Sequence, residues 1–134
     1  MKVYYFLIKK LTMETLIEIK QKDVDWIIVF EFAWELDETN ADKTFWWLYK
    51  TIWEFTGKKI IFNFSWLKYL NSKSIWYIAD IFSNIEESNW KIYITNCQEW
   101  VKDVLELVWI TSIIPIADRE EEAVIAINWS SPVQ

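Results

Sequence analysis

The chain has 134 residues, about one domain, and its 53% of hydrophobic residues can supply a single core. Its net charge of −6 repels phosphate backbones and disfavours a nucleic-acid groove. The absence of histidine excludes a histidine base or ligand, and the single cysteine excludes an internal disulfide and a cysteine-rich zinc site. Its longest apolar run, Val3 to Ile8, is too short to cross a membrane, and the lone thiol of Cys97 favours a reducing, cytoplasmic location.

The first half of the chain predicts two strands and a helix. Residues Thr15–Lys20 alternate in polarity, and Trp26–Ala33 form an apolar run typical of a buried strand. A loop over Asp37–Asn40 contains several candidate helix caps. An amphipathic helix follows and ends at Gly57; its apolar positions are Ala41, Phe45, Leu48, Ile52 and Phe55.

The second half predicts three further strands and three helices. The predicted strands are Lys59–Ser65, Lys91–Thr95 and Ile113–Ile116. The first helix is capped by Ser72 or Asn71 and shows helical spacing at Ile75, Ile78, Ala79, Phe82 and Ile85. The other two helices cover residues 101–108 and 120–127.

This alternation of strands and helices favours an α/β fold. We expect a single domain with a central mixed sheet of about four to five strands and about four helices. The first twelve residues show no matching pattern, so we assign residues 1–12 to an N-terminal extension, 13–128 to the domain and 129–134 to a tail. Met13 is an alternative start to Met1.

Glycine is rare in this chain and tryptophan is abundant, with one Gly against 11 Trp. Four of these, Trp34, Trp66, Trp90 and Trp109, follow predicted strands or helices, where a positive φ is often needed and Gly adopts it at little cost. Some bacterial lineages translate UGA as glycine. We therefore predict that many of these Trp positions are UGA codons whose natural translation is Gly; the alternative is a Trp-rich carbohydrate-binding module that stacks sugars on its rings.

Little in the sequence indicates catalysis. No Gly-rich phosphate loop and no nucleophile–base pair is present, so we expect no enzyme activity and no cofactor. The acidic residues between Asp23 and Asp37 are interpreted as a solvated surface, and Cys97 as a buried or incidental thiol. Ser72 differs, because it lies between a strand and a helix where a kinase can reach its hydroxyl and the helix N-terminus can accommodate a phosphate.

Read with Gly at the relevant Trp positions, residues Thr15 to Ile127 resemble the STAS domain of bacterial anti-sigma factor antagonists. Five segments carry the resemblance. Trp34–Asp37 is similar to the family's Gly-Glu-Leu-Asp, Asn63–Leu67 is similar to its Asp-Leu-Ser-Gly-Val, and Tyr69–Trp76 is similar to its Phe-Ile-Asp-Ser-Ser-Gly-Leu-Gly. Val104–Ile110 is similar to its Val-Leu-Glu-Leu-Thr-Gly-Leu, and Glu121–Ala123 is similar to its Glu-Glu-Ala. Three residues depart from the family pattern: Asn71 replaces Asp, Lys73 replaces the second Ser and Ser74 replaces the first Gly.

The resemblance implies helices packed mostly on one side of the sheet and a non-enzymatic protein switch. Ser72 is then the phosphorylated serine, and Asp37, Asn71, Lys73 and Ser74 belong to the partner-binding surface. The implied partner is an anti-sigma factor of the serine-kinase type; the alternative role is a scaffold subunit of a stress-signalling or lipid-transport complex. We also expect the Ser72 hydroxyl to cap a helix beginning near Lys73, with Asp37 on the same side of the domain.

Overall fold

Strands and helices follow one another in the predicted order, with one additional strand at the start. The computed structural model describes residues 4–9, 16–53, 58–87 and 91–129. The strands in these ranges are β1 (Tyr4–Lys9), β2 (Leu16–Val24), β3 (Ile27–Leu36), β4 (Lys59–Leu70), β5 (Lys91–Thr95) and β6 (Ile116–Ala117). The helices are α1 (Ala41–Ile52), α2 (Ser72–Glu87), α3 (Glu99–Leu107) and α4 (Glu120–Trp129), with a 3-10 turn at Ile110–Ser112.

The described strands form one mixed sheet in the order β1-β2-β3-β4-β5-β6. The pairs β1–β2 and β2–β3 are antiparallel, and the pairs β3–β4, β4–β5 and β5–β6 are parallel. The mixed α/β fold is confirmed, whereas the expected four to five strands are too few because β1 adds a sixth. The short apolar run that forms β1 has no polar alternation, so its strand character depends on pairing with β2 rather than on its own pattern.

The sheet carries three helices on one face and one on the other. Helices α1, α2 and α3 cover the larger core, in which Phe30 and Phe32 of β3 are fully buried. On the opposite face α4 packs on a smaller cluster that includes Ile27 and Val29. Successive side chains of β3 therefore pack into the cores on opposite faces of the sheet, which explains why the sequence of β3 is nearly continuously apolar. The expectation of helices mostly on one side is confirmed.

The ends of several elements differ from the sequence prediction. β3 and β4 run to Leu36 and Leu70, beyond their predicted ends, and their pairing continues across two shifts in register near Ala33 and Trp34. β6 comprises Ile116–Ala117 instead of residues 113–116. Helix α1 ends at Ile52, and the predicted end at Gly57 lies outside the described residues. None of the described helices is long and apolar enough to cross a membrane.

Several tryptophans have an unusual backbone conformation. φ is positive at Trp34 (81°) and Trp109 (63°), where the sequence led us to expect a glycine-like position. The expectation is wrong at Trp66, which is not among the described residues with a positive φ. Trp66 lies within β4, because this strand continues through the point where we predicted a turn. Trp90 lies outside the described residues. Two further positive values, at Trp26 (72°) and Trp53 (58°), were not predicted.

Candidate functional site

The carboxyl ends of β3 and β4 bring the two predicted site loops together. Leu36 and Leu70 are paired in the parallel register, so the loops that begin at Asp37 and Asn71 leave the same edge of the sheet. The Asn71 N–H donates a hydrogen bond of 3.0 Å to the Leu36 carbonyl and ties the loops to each other. The structure therefore places Asp37 on the same side of the domain as Ser72, as expected.

The Asp37 carboxylate organises the loop that leads into α1. Its Oδ1 accepts hydrogen bonds from the Thr39 N–H (2.8 Å), the Thr39 hydroxyl (2.6 Å) and the Asn40 N–H (3.2 Å). The buried Asn40 side chain donates to the Glu35 carbonyl (2.9 Å) and accepts from the Asp37 N–H (3.0 Å). Asp37 is half-buried and shapes this loop, which makes Asn40 a supporting residue that the sequence identified only as one of several candidate caps.

Helix α2 is capped by Asn71. The Asn71 Oδ1 accepts a hydrogen bond of 2.9 Å from the Ser74 N–H, the bond that defines an N-cap. The expected cap by Ser72 on a helix beginning near Lys73 is thus wrong, since α2 begins at Ser72 itself. The bond from Asn71 to the end of β3 holds Asn71 outside the helix and leaves Ser72 as its first residue. Ser72 is exposed.

Lys73 links the two helices that border the site. Its Nζ lies 2.8 Å from Oδ1 of Asp42, in the first turn of α1, and the Tyr77 hydroxyl donates to the same carboxylate at 2.6 Å. The hydrogen bond from Lys73 lowers the pKa of the Asp42 carboxyl, and the same bond raises the pKa of Lys73. A cation in the first turn of a helix opposes the helix dipole, and Asp42 offsets this.

Ser74 lies beneath the surface. Its side chain is fully buried, and its hydroxyl is without a hydrogen-bond partner in the described part of the chain. As the third residue of α2 it faces the core next to Ile75, so its predicted role as a partner contact is not supported by its position. The exposed part of the site is a surface cavity of about 530 Å³, lined by Glu38, Tyr69, Asn71, Ser72 and Lys73. We call this set the Ser72 surface.

Asn63, the first residue of the Asn63–Leu67 motif, has a structural function on the α4 side of the sheet. Asn63 Oδ1 accepts from the Ser65 N–H (2.9 Å) and hydroxyl (2.6 Å), while its Nδ2 donates to Glu120 of α4 (2.9 Å). The Lys22 Nζ lies 3.4 Å from Glu120 and 3.4 Å from Glu31. Glu31, interpreted above as part of a solvated surface, is therefore half-buried and paired.

Neither the cysteine nor the acidic residues build a second reactive centre in the described ranges. Cys97 is partly buried, and this burial raises the pKa of its thiol to about 12. No group of three or more Cys, Asp or Glu side chains in those ranges is arranged to hold a metal ion. The Ser72 surface is consequently the candidate site.

A family model described as the STAS domain matches residues 17–123. An anti-sigma factor antagonist from Mycobacterium paratuberculosis has a similar structure, with a TM-score of 0.74, 14% identity and coverage of 83% of this chain and 93% of the other. A putative anti-sigma factor antagonist from Thermotoga maritima has a TM-score of 0.72 and 24% identity, with coverage of 80% of this chain and 92% of the other. The phosphorylated form of the Bacillus cell fate determinant SpoIIAA has a TM-score of 0.62 and 18% identity, with coverage of 82% of this chain and 99% of the other. A comparison with curated proteins found no match.

Proposed function

The chain belongs to the STAS domain family, and we propose that it acts as an anti-sigma factor antagonist controlled by phosphorylation of Ser72. In this proposal the unmodified domain binds an anti-sigma factor of the serine-kinase type in the cytoplasm and releases the sigma factor. Phosphorylation of Ser72 then ends the binding. The protein is a switch and catalyses no reaction of its own.

The observation that carries the proposal is the position of Ser72. It is exposed at the first residue of α2 and borders a cavity large enough to receive side chains of a partner. A kinase can therefore reach the hydroxyl without local unfolding. Since Asn71 already caps the helix, modification of Ser72 leaves that hydrogen bond in place.

Similar structures support the same interpretation. Proteins described as anti-sigma factor antagonists share this fold, and one of them, SpoIIAA, has been observed in a phosphorylated form. The fold thus accommodates a phosphorylated state in that protein. At 14–24% identity these likenesses establish the fold, and the role of Ser72 rests on its location here.

The charges of the Ser72 surface bear on how a kinase would dock there. Lys73 adds a positive charge beside the acceptor serine but is already paired with Asp42. A docking kinase therefore meets a locally neutral ion pair beside Ser72 on a chain whose net charge is −6. We expect a partner that contacts Ser72 directly, with the Asp37 loop as a rigid border.

The proposal is tested with the anti-sigma kinase encoded nearest to this gene. Purified chain, kinase and ATP are mixed, the phosphorylated residue is mapped by mass spectrometry, and binding is measured by pull-down. Ser72→Ala should bind and accept no phosphate, whereas Ser83→Ala, which changes an exposed serine of the same helix, should behave as the unchanged protein. Undiminished phosphate incorporation into Ser72→Ala contradicts the proposal. Binding that phosphorylation does not alter favours the scaffold role instead.

A further inference from the structure

Four tryptophans have a backbone conformation that suits glycine. In the described chain six non-glycine residues have a positive φ, and besides Asp25 and Asn96 all of them are Trp, namely Trp26, Trp34, Trp53 and Trp109. The short polar side chains of Asp and Asn tolerate this region, but a bulky side chain there is a steric outlier. The four indoles are 93%, 45%, 81% and 78% exposed, so burial does not compensate for the strain.

Trp26 occupies a hairpin turn that normally contains glycine. Val24 of β2 pairs with Ile27 of β3, which leaves a two-residue loop of Asp25 and Trp26. Their φ angles are 49° and 72°. A two-residue hairpin loop with both φ angles positive is the type I′ turn, for which Asp-Gly is among the preferred sequences.

Trp53 and Trp109 follow helices at positions where glycine is common. Trp53 directly follows α1 with φ 58° and ψ −70°, a rare combination for a residue with a Cβ, and its N–H donates to the Tyr49 carbonyl at 2.8 Å. Trp109 follows α3 in the left-handed region, with φ 63° and ψ 14°, and its N–H donates to the Glu106 carbonyl at 3.1 Å. A left-handed residue after a helix is the usual place for a terminating glycine.

Trp34 lies where β3 changes its pairing with β4. Its φ is 81°, and the register shifts between Trp34 and Glu35. Glycine is common at irregularities of this kind in strands, and where such a position has a positive φ, glycine adopts it at little cost. The hairpin turn, the helix ends and the strand irregularity are independent local structures, and all of them indicate the same residue type.

We propose that positions 26, 34, 53 and 109 are glycine in the protein that its own cell makes, encoded by UGA codons that this cell translates as glycine. Trp47 is a genuine tryptophan, because its ring is partly buried, stacks on Phe6 at 4.7 Å and meets Phe30 edge-on at 6.1 Å. This inference is independent of the proposed switch. It also removes four exposed indoles, which weighs against the carbohydrate-binding alternative.

The direct test is to read the codons and to sequence the peptides of the protein isolated from its own cells. UGA and glycine are expected at positions 26, 34, 53 and 109, with UGG and tryptophan at Trp47. UGG codons at the four positions, or tryptophan in the peptides from them, would overturn the proposal.

A stability series tests the conformational argument on the recombinant chain. Replacement by glycine at each of the four positions should raise the folding equilibrium constant by about tenfold. Alanine should give little of this gain, because its Cβ meets the same steric conflict. Trp66→Gly is the matched control: Trp66 is an exposed tryptophan outside the positive-φ set, and glycine there should give no gain. Equal effects of glycine and alanine at all four positions would contradict the argument.

If the all-tryptophan chain does not fold, the series starts from the variant with glycine at all four positions. Tryptophan is then restored at one position at a time, and each restoration should lower the folding equilibrium constant. A variant whose stability is unchanged by all four restorations would equally contradict the conformational argument.

Discussion

Lys73 and Asp42 form an ion pair with an Nζ–Oδ1 distance of 2.8 Å, which joins the first turn of α2 to the first turn of α1. The Tyr77 hydroxyl donates to the same carboxylate from one helical turn further along α2. Asp42 thereby accepts two hydrogen bonds in its ionised form, and both lower the pKa of its carboxyl. The pair lies on the surface, where salt weakens it.

Replacement of Asp42 by Asn should reduce the loss of stability in acid. The pKa of this carboxyl is lower in the folded protein than its ordinary value of 3.8 in the unfolded chain. At pH values above 3.8 the ionised carboxyl therefore stabilises the folded state, and this stabilisation is lost as the pH falls through the lower, folded pKa. Between about pH 5 and about pH 2, at low salt, the unchanged protein should lose more stability than Asp42→Asn. Urea denaturation at a series of pH values measures the difference. The exposed Asp103→Asn is the control, and identical acid profiles for the unchanged protein and Asp42→Asn would contradict the prediction.

The order of strands and helices could be predicted, because strands buried on both faces and helices buried on one face leave different sequence patterns. β3 and β4 contribute to cores on both faces and are therefore continuously apolar, while α1 and α2 bury one stripe each. β1 could not be predicted, since its assignment depends on a partner rather than on its own sequence. Long-range pairing of this kind leaves no local periodicity.

The proximity of the Asp37 and Asn71 loops could be predicted from the sequence, but the contacts between them could not. Asn71 and Ser72 are both suitable helix caps, and the hydrogen bond from Asn71 to Leu36 on the neighbouring strand decides between them. Likewise, the spacing of Lys73 and Tyr77 places both on one side of α2, but only the tertiary structure shows that they share Asp42. Such choices depend on contacts between elements that are distant in sequence.

Replacement of Asn71 by Ala should destabilise the domain by about 0.5–2 kcal/mol, the usual effect of losing an N-cap. The lost bond is the one from the Ser74 N–H to Asn71 Oδ1. Asn71→Asp should retain most of the stability, because a carboxylate accepts the same bond. Chemical denaturation measures both variants. Equal destabilisation by Ala and Asp would show that the side-chain oxygen does not cap α2.

Cys97 should be unreactive in the folded protein. Partial burial raises the pKa of its thiol to about 12, so the nucleophilic thiolate is scarce at pH 8. A thiol-specific reagent should label the native chain far more slowly than the chain in concentrated urea. Cys97→Ser provides the blank. Labelling at the same rate with and without urea would contradict the burial of this side chain.

Phosphorylation of Ser72 should abolish partner binding while the domain stays folded. A phosphoserine adds about −1.5 to −2 charges at pH 7 and changes the net charge from −6 to about −8. The N-terminus of α2 tolerates the added charge, so thermal unfolding should shift little. A partner that fits a small neutral hydroxyl must instead desolvate a dianion, which costs several kcal/mol, and about 1.4 kcal/mol corresponds to a tenfold loss of affinity.

Calorimetric titration of the anti-sigma factor should therefore show binding to Ser72→Ala, weak binding to Ser72→Asp and none to the phosphorylated chain. Phosphoserine placed at position 83 on the same helix controls for the change in net charge. Equal affinities of Ser72→Ala and the chain phosphorylated at Ser72 would mean that Ser72 lies outside the interface.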